Sequence, residues 1–208
     1  MSGLTLYTHP ISSGRIVRWM LEEIGVRYAV EFIDLETERT PDFLRINPIG
    51  KIPVLRHHNT IISEAAAICA YLADAFPLAG LAPAADSPAR GDYYRWLFFA
   101  AGPLDTASTL KSLGYGPPPL GDQRAGWGSL DRVTAMLESA LKEREWLAGG
   151  KFSAADLYLG SLLDWAVRFG NVPDNPVFRG YLDRVLDRPA YARAAELDDQ
   201  LAGRPILD

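Results

Sequence analysis

The sequence predicts two architectures in one chain of 208 residues: a small α/β unit over residues 1–77 and an all-helical part over 89–208, joined by a linker at 78–88. Three observations carry this. Strand and helix patterns alternate through the first part. The segment "PLAGLAPAADSPAR" is rich in proline, alanine and glycine, as linkers between domains are. Beyond it no strand pattern of any length occurs.

Taken in order, "LTLY" reads as a short strand. Ile16, Val17, Met20, Leu21 and Ile24 then fall on one helical face, and Gly25 stops that helix. "YAVEFIDL" alternates as a second strand. Thr40-Pro41-Asp42 opens a short helix with a capping hydroxyl and a proline at the first position, and Asn47-Pro48 closes it. "IPVL" and "TIIS" form a hairpin through "RHHN", where His58-Asn59 suits a tight turn, since asparagine tolerates a positive φ. "SEAAAICAYLADAF" is a helix that Ser63 is expected to cap. The order βαβαββα is a complete thioredoxin-like unit. In the second part "RGDYYRWLFFAAGPLDTAST" reads as one helix. "GSLDRVTAMLESALKEREWLAGG" reads as another, ending at Gly149-Gly150. "SAADLYLGSLLDWAVRFG" opens with Ser153 and Asp156 spaced as a capping box. Two shorter helices begin near Pro176 and Pro189.

Composition excludes several classes of function. The net charge is −5, which argues against a nucleic-acid partner. A single cysteine, Cys69, rules out an internal disulfide and CxxC chemistry, and a reducing compartment, the cytoplasm, is expected. Three histidines, two of them adjacent, give no metal-ligand spacing. The first residues lack the basic and apolar regions of a signal peptide. The longest apolar run, "WLFFAAGPL", is far short of the roughly 20 residues of a membrane helix, so no membrane partner is expected.

Three places carry residues suited to chemistry. Pro53 lies in an apparent strand, where it removes a ladder donor. Either the strand is an edge or the Ile52-Pro53 bond is cis, which would leave the Ile52 N–H and C=O to pair with a bound peptide. Ser63-Glu64 precedes a helix whose N-terminal N–H groups suit a carboxylate, while Glu64 suits an ammonium; both groups together describe a γ-glutamyl head. Ser12-Ser13 precedes the first helix, where one hydroxyl suffices as a cap. A spare hydroxyl there can donate to a thiolate, aided by the helix dipole. A hydrogen bond to a charged group contributes roughly 1.5–3 kcal/mol. At about 1.36 kcal/mol per unit, that lowers a thiol pKa by about one to two units. A thiol then ionises near neutrality without a protein base. Ser12 and Ser13 stand equal as candidates, with His9, and then Thr8, behind them. Cys69, amid small apolar residues, reads as a core filler, and Tyr7 as core.

The segments "HPISSGRIVRWMLEEIG", "NPIGKIPVL", "SEAAAICAYLAD" and "FSAADLYLG", in this order and spacing, resemble those of cytosolic glutathione S-transferases, of bacterial type with a serine in the first loop, across nearly the whole chain. The resemblance implies a thioredoxin-like glutathione-binding domain, a helical domain supplying most of an electrophile pocket, a cis Pro53 and a homodimer. It places Ile52 on the cysteinyl backbone of glutathione, Glu64 and the Ala65 amide on the γ-glutamyl end, and Lys51 nearby. Ser153 and Asp156 match a buried capping box of the family, a folding element. Ile11, Phe99, Tyr115 and Trp165 are candidates for the electrophile pocket, with "YGPPPLG" (115–121) as a loop over it. The chain departs from the family at Ala65, where a hydroxyl is common. No metal is implied; the co-substrate is glutathione and the partner a small hydrophobic electrophile. The rival readings are a binding or regulatory protein on the same fold, a glutathione-dependent disulfide or peroxide reductase, and a maleylacetoacetate-type isomerase, whose loop would carry a cysteine that is missing after Ser13.

Overall fold

The structure is a computed structural model and describes residues 3–116, 121–203 and 206. By its contacts the chain forms two compact units: Met1–Ala79 together with Arg188–Asp208, and Gly80–Asp187.

The first unit holds β1 (Leu4–Thr8), α1 (Gly14–Ile24), β2 (Ala29–Phe32), α2 (Pro41–Ile46), β3 (Val54–His57), β4 (Thr60–Ser63) and α3 (Ala65–Ala75). The strands form one sheet in the order β2-β1-β3-β4. β1 runs parallel to β2 and antiparallel to β3, and β3 is antiparallel to β4. Period-two alternation sends Leu6 and Leu55 to one face and Tyr7 and Val54 to the other. Tyr7 and Val54 cluster with Phe43 of α2, and Ile33, Ile46 and Ile52 pack around them. Thr40 caps α2 by accepting the Phe43 N–H at 3.2 Å. Gly25 ends α1 at φ 72°, a left-handed conformation that glycine adopts without steric cost. In the hairpin the left-handed residue is His58, at φ 54°, not Asn59; the His58 N–H is held by the Gly3 carbonyl at 2.9 Å. Cys69 is fully buried and burial pushes its thiol well up, which suits the core role.

The last helix, α10 (Pro189–Ala202), belongs to this unit rather than to the helical part that was expected to run to 208. It lies on α1, where Trp19 packs edge-on against Tyr191 at 4.9 Å between ring centroids. Arg18 donates to Asp198 at 2.7 Å, and both side chains are buried. Around this pair, Arg188 holds Glu23 at 2.6 Å and Arg193 reaches Glu22 at 3.5 Å. A buried ion pair of this kind fixes which surfaces meet, because leaving either charge buried alone costs several kcal/mol.

The second unit contains α4 (Ala89–Phe99), a π-helical segment (Ala100–Leu104), α5 (Asp105–Ser112), α6 (Gly121–Arg124), α7 (Leu130–Lys142), α8 (Ala154–Arg168) and α9 (Pro176–Leu186). The single helix expected from 91 to 110 is thus widened in the middle. Pro103 sits in the wide segment; its missing N–H and its ring prevent an ordinary α turn. α7 stops before the expected Gly149. The Leu147 N–H turns instead to Asp156 at 2.9 Å. Asp156 also accepts the Ser153 N–H, the Ser153 hydroxyl and the Tyr181 hydroxyl, at 3.0, 2.9 and 3.2 Å. This network opens α8, whose body is almost wholly buried.

Burial is the largest influence on Asp156 and raises its pKa to about 6, against the pull of these donors. Between pH about 4 and about 6 the native chain therefore holds a proton that the unfolded chain has released. Its contribution to stability is largest below that window and falls as pH rises through it, by about 3 kcal/mol at most. Urea denaturation from pH 4.5 to 6.5 is expected to show this slope in the wild type, and Asp156→Asn is expected to lose it.

Candidate functional site

Register places the site. Tyr7 pairs with Val54, and Val54 with Ser63. The residues just beyond this row, Thr8 at the end of β1, Pro53 before β3 and Glu64 after β4, therefore lie side by side at one end of the sheet. Strands are spaced about 4.8 Å apart, so the row from β1 to β4 spans about 10 Å, the length of an extended tripeptide at roughly 3.3 Å per residue. Helices α1 and α3 both begin at this end. Each leaves its first N–H groups without helical partners, which makes the end a site for anions.

The turn into α1 is built from His9 to Gly14. The His9 carbonyl accepts the Ser12 N–H at 3.1 Å and the Ser12 hydroxyl at 2.7 Å. The His9 ring accepts the Ile11 N–H through Nδ1 at 3.2 Å and packs against Phe32. Histidine thus serves here as a former of the turn. The Ser12 Oγ also accepts the Gly14 N–H at 3.1 Å, so Ser12 caps the helix. Ser13 occupies the position immediately before α1, and its side chain makes no capping bond. Among the described residues the Ser13 hydroxyl has no partner. Arg15 closes the turn, reaching the Pro10 carbonyl at 3.3 Å and Asp199 at 3.6 Å.

Beneath the turn lies Thr8, whose hydroxyl is buried without a hydrogen-bond partner. A Cβ on Gly14 would come within 1.8 Å of that hydroxyl oxygen. The turn therefore requires glycine at 14 because of this close approach.

The Ile52-Pro53 bond is cis. The Ile52 side chain packs on the Tyr7 cluster, and among the described residues nothing bonds its N–H or C=O. Asn47, largely buried, donates to the Lys51 carbonyl at 2.8 Å, and Arg39 donates to the Gly50 carbonyl at 2.9 Å. These bonds fix the segment leading to Ile52. Lys51 itself is exposed.

Ser63 ends β4 and does not cap α3, contrary to the sequence reading. Glu64 stands at the capping position, with φ 67° and ψ 114° and no side-chain capping bond. A non-glycine residue in this region carries about 1–3 kcal/mol of backbone strain, of the kind that gathers at functional sites. The exposed Glu64 carboxylate and the amide of the buried Ala65 thus stand together at the start of α3.

The electrophile-pocket candidates separate. Ile11, in the turn of the first unit, is 57% exposed. Phe99 packs edge-on against Trp96 at 5.5 Å, and Tyr115 is exposed. Of the "YGPPPLG" loop, residues 117–120 lie outside the described residues. Trp165 lines a cavity of about 230 Å³ within the second unit, together with Leu104, Asp105, Ser108, Leu162 and Phe169. The sequence reading passed over Asp105 and Ser108. With Thr109 and Ser112 they form a polar row at helical spacing, a signal that an exposed face of α5 would give equally.

A thioredoxin-like sheet end thus brings together two helix N-termini, a cis proline and an acidic residue opening α3. Residues 2–74 match the family model described as "Glutathione S-transferase, N-terminal domain", and residues 104–189 match "Glutathione S-transferase, C-terminal domain". The chain belongs to the glutathione S-transferase family. It is 29% identical to glutathione S-transferase GST-4.5 of Xanthomonas campestris pv. campestris, over 80% of this chain and 84% of that one. It is 26% identical to the disulfide-bond oxidoreductase YfcG of Escherichia coli, over 95% and 98%. Among solved structures, the glutathione transferase URE2P8 of Phanerochaete chrysosporium with oxidized glutathione superposes with a TM-score of 0.80 at 26% identity, covering 98% of each chain.

Gly14→Ala is expected to lower stability by about 1–3 kcal/mol through the clash with Thr8. Thr8→Ala in the same chain is expected to restore part of the loss. Denaturant midpoints of the two variants check this.

Proposed function

We propose that this protein is a glutathione transferase in which the Ser13 hydroxyl holds the thiolate of glutathione. The observation that carries the choice is the division of labour in the turn: the Ser12 Oγ is spent on the Gly14 N–H and the His9 carbonyl, while the Ser13 hydroxyl is free at the start of α1. A hydroxyl there adds its hydrogen bond to the positive end of the helix dipole, and both favour the charged form of the sulfur.

In this reading glutathione lies along the sheet end as an added strand. Its cysteinyl backbone pairs with the Ile52 N–H and C=O. The γ-glutamyl carboxylate meets the first amides of α3, at Ala65, and its ammonium meets Glu64; Lys51 stands beside the ligand. Burial supports Ala65 as an amide contact only, since its side chain carries no donor. The thiol proton leaves to solvent. The thiolate then attacks an electrophilic carbon, forming the S–C bond as the leaving group departs with its electron pair. The electrophile is a small hydrophobic molecule. The same reading carries a homodimer in the cytoplasm.

The decisive measurement is the ultraviolet absorbance of the bound glutathione thiolate against pH. Ser13→Ala is expected to raise the apparent thiol pKa by about one to two units, and to slow conjugation near pH 6.5 by about 10- to 100-fold. Ser12→Ala is expected to keep the titration and lose about 0.5–2 kcal/mol of stability, as a cap does. A titration that shifts in Ser12→Ala and stays put in Ser13→Ala would reverse the assignment.

Glu64 offers a second check. Glu64→Gly is expected to stabilise the fold by about 1 kcal/mol, since glycine adopts φ 67° without strain. It is also expected to weaken glutathione binding by about tenfold or more, as loss of a charged hydrogen bond does. Calorimetric titration and thermal unfolding of one preparation read both effects.

A further inference from the structure

The cavity of the second unit has two unlike walls. Leu162, Trp165 and Phe169 form one, and Asp105 and Ser108 stand on the other. The Ser108 Oγ is buried with no hydrogen-bond partner. The Asp105 carboxyl forms no ion pair or hydrogen bond among the described residues. Its residue surface is open to solvent on one side, yet partial burial of the carboxyl raises its pKa. The charged side chains on and near this face are committed elsewhere. Lys111 donates to the Asn171 carbonyl at 2.7 Å, and Arg168 pairs with Asp164 at 2.9 Å. A carboxylate lacking a counter-charge is stabilised by a cation or donor that comes to it. An anion entering the same space meets repulsion that the water present does not fully screen.

We infer that Asp105, assisted by Ser108, gives this cavity of the second unit a charge preference: it takes a compact aromatic or alkyl body bearing a cationic or hydrogen-donating group, and turns away anionic ones. The apolar wall receives the body. Trp165 adds its ring, whose face attracts cations. The cavity of about 230 Å³ lies below the roughly 300–1,000 Å³ of pockets for drug-sized ligands, so the body is about one ring in size. Asp105 is in this reading a specificity residue and takes no part in activating the thiol.

The test uses the full-length protein without glutathione and three probes sharing one aryl body: benzylammonium, benzyl alcohol and benzoate. Affinities are measured by competition calorimetry at pH 7.5. The wild type is expected to bind benzylammonium about tenfold tighter than benzoate, a difference of about 1.4 kcal/mol, with benzyl alcohol between them. Asp105→Asn is expected to shrink the gap to about twofold, and Ser108→Ala to weaken benzyl alcohol while keeping the order. Equal affinities in the wild type, no binding by any of the three, or a preference that survives in Asp105→Asn each overturn the inference. Should Asp105→Asn fail to fold, the order in the wild type remains decisive. No thiolate is involved, so failure here leaves the Ser13 assignment standing, and failure of that assignment leaves these affinities unchanged.

Discussion

One row of strand pairing organises the end of the sheet at which α1 and α3 begin. Tyr7, Val54 and Ser63 stand opposite one another on three strands, and Thr8, Pro53 and Glu64 lie one residue further on. Because side chains alternate along a strand, a slip of one residue would reverse the faces of the whole strand. Tyr7 and Val54 would then leave the Phe43 cluster. The apolar cluster therefore sets not only the stability of the sheet but also the positions of Thr8, Ile52 and Glu64 relative to each other. Backbone groups and helix starts do most of the presenting, and this explains how so few polar side chains make up the end.

The turn before α1 shows how two similar hydroxyls come to differ. Capping demands an oxygen turned back toward an N–H of the first turn, and Ser12 meets that demand while also closing on the His9 carbonyl. Neighbouring Ser13 is then free of structural duty. His9 and Arg15 hold the loop from either side, through Ile11 and Pro10, so the free hydroxyl stands on a braced backbone. An acid–base role for His9 fits poorly with a ring whose Nδ1 already receives a main-chain donor.

Much of this was legible in the sequence, for reasons that are local. Helical periodicity, the glycine after α1, the threonine and proline opening α2, and the Ser153-Asp156 spacing each act within a few residues. Other features depend on distant partners. Arg18 and Asp198 read as surface charges until α10 is placed on α1. Leu147 reads as helical until Asp156 takes its N–H. Pro103 was visible, but a proline can break, bend or widen a helix, and the packing of the second unit decides which. Ser63 looks like a cap because the residue type is right; the chain instead gives that place to a glutamate in a strained conformation, a choice that local propensity opposes. Asp105 hid in a polar row that looks the same whether it faces water or a cavity.

The docking of α10 on α1 makes the first unit discontinuous in sequence, with residues 80–187 inserted between its parts. A ribosome delivers chains from the N-terminus. The sheet and its three helices therefore emerge well before the carboxylate that neutralises Arg18 and the ring that covers Trp19. Until the last helix arrives, α1 presents a guanidinium without its carboxylate beside an uncovered indole, on the helix that follows the two-serine turn. Completion of the first unit is thus coupled to completion of the chain, so a truncated product lacks the contacts that brace α1 even though every residue of the sheet is present.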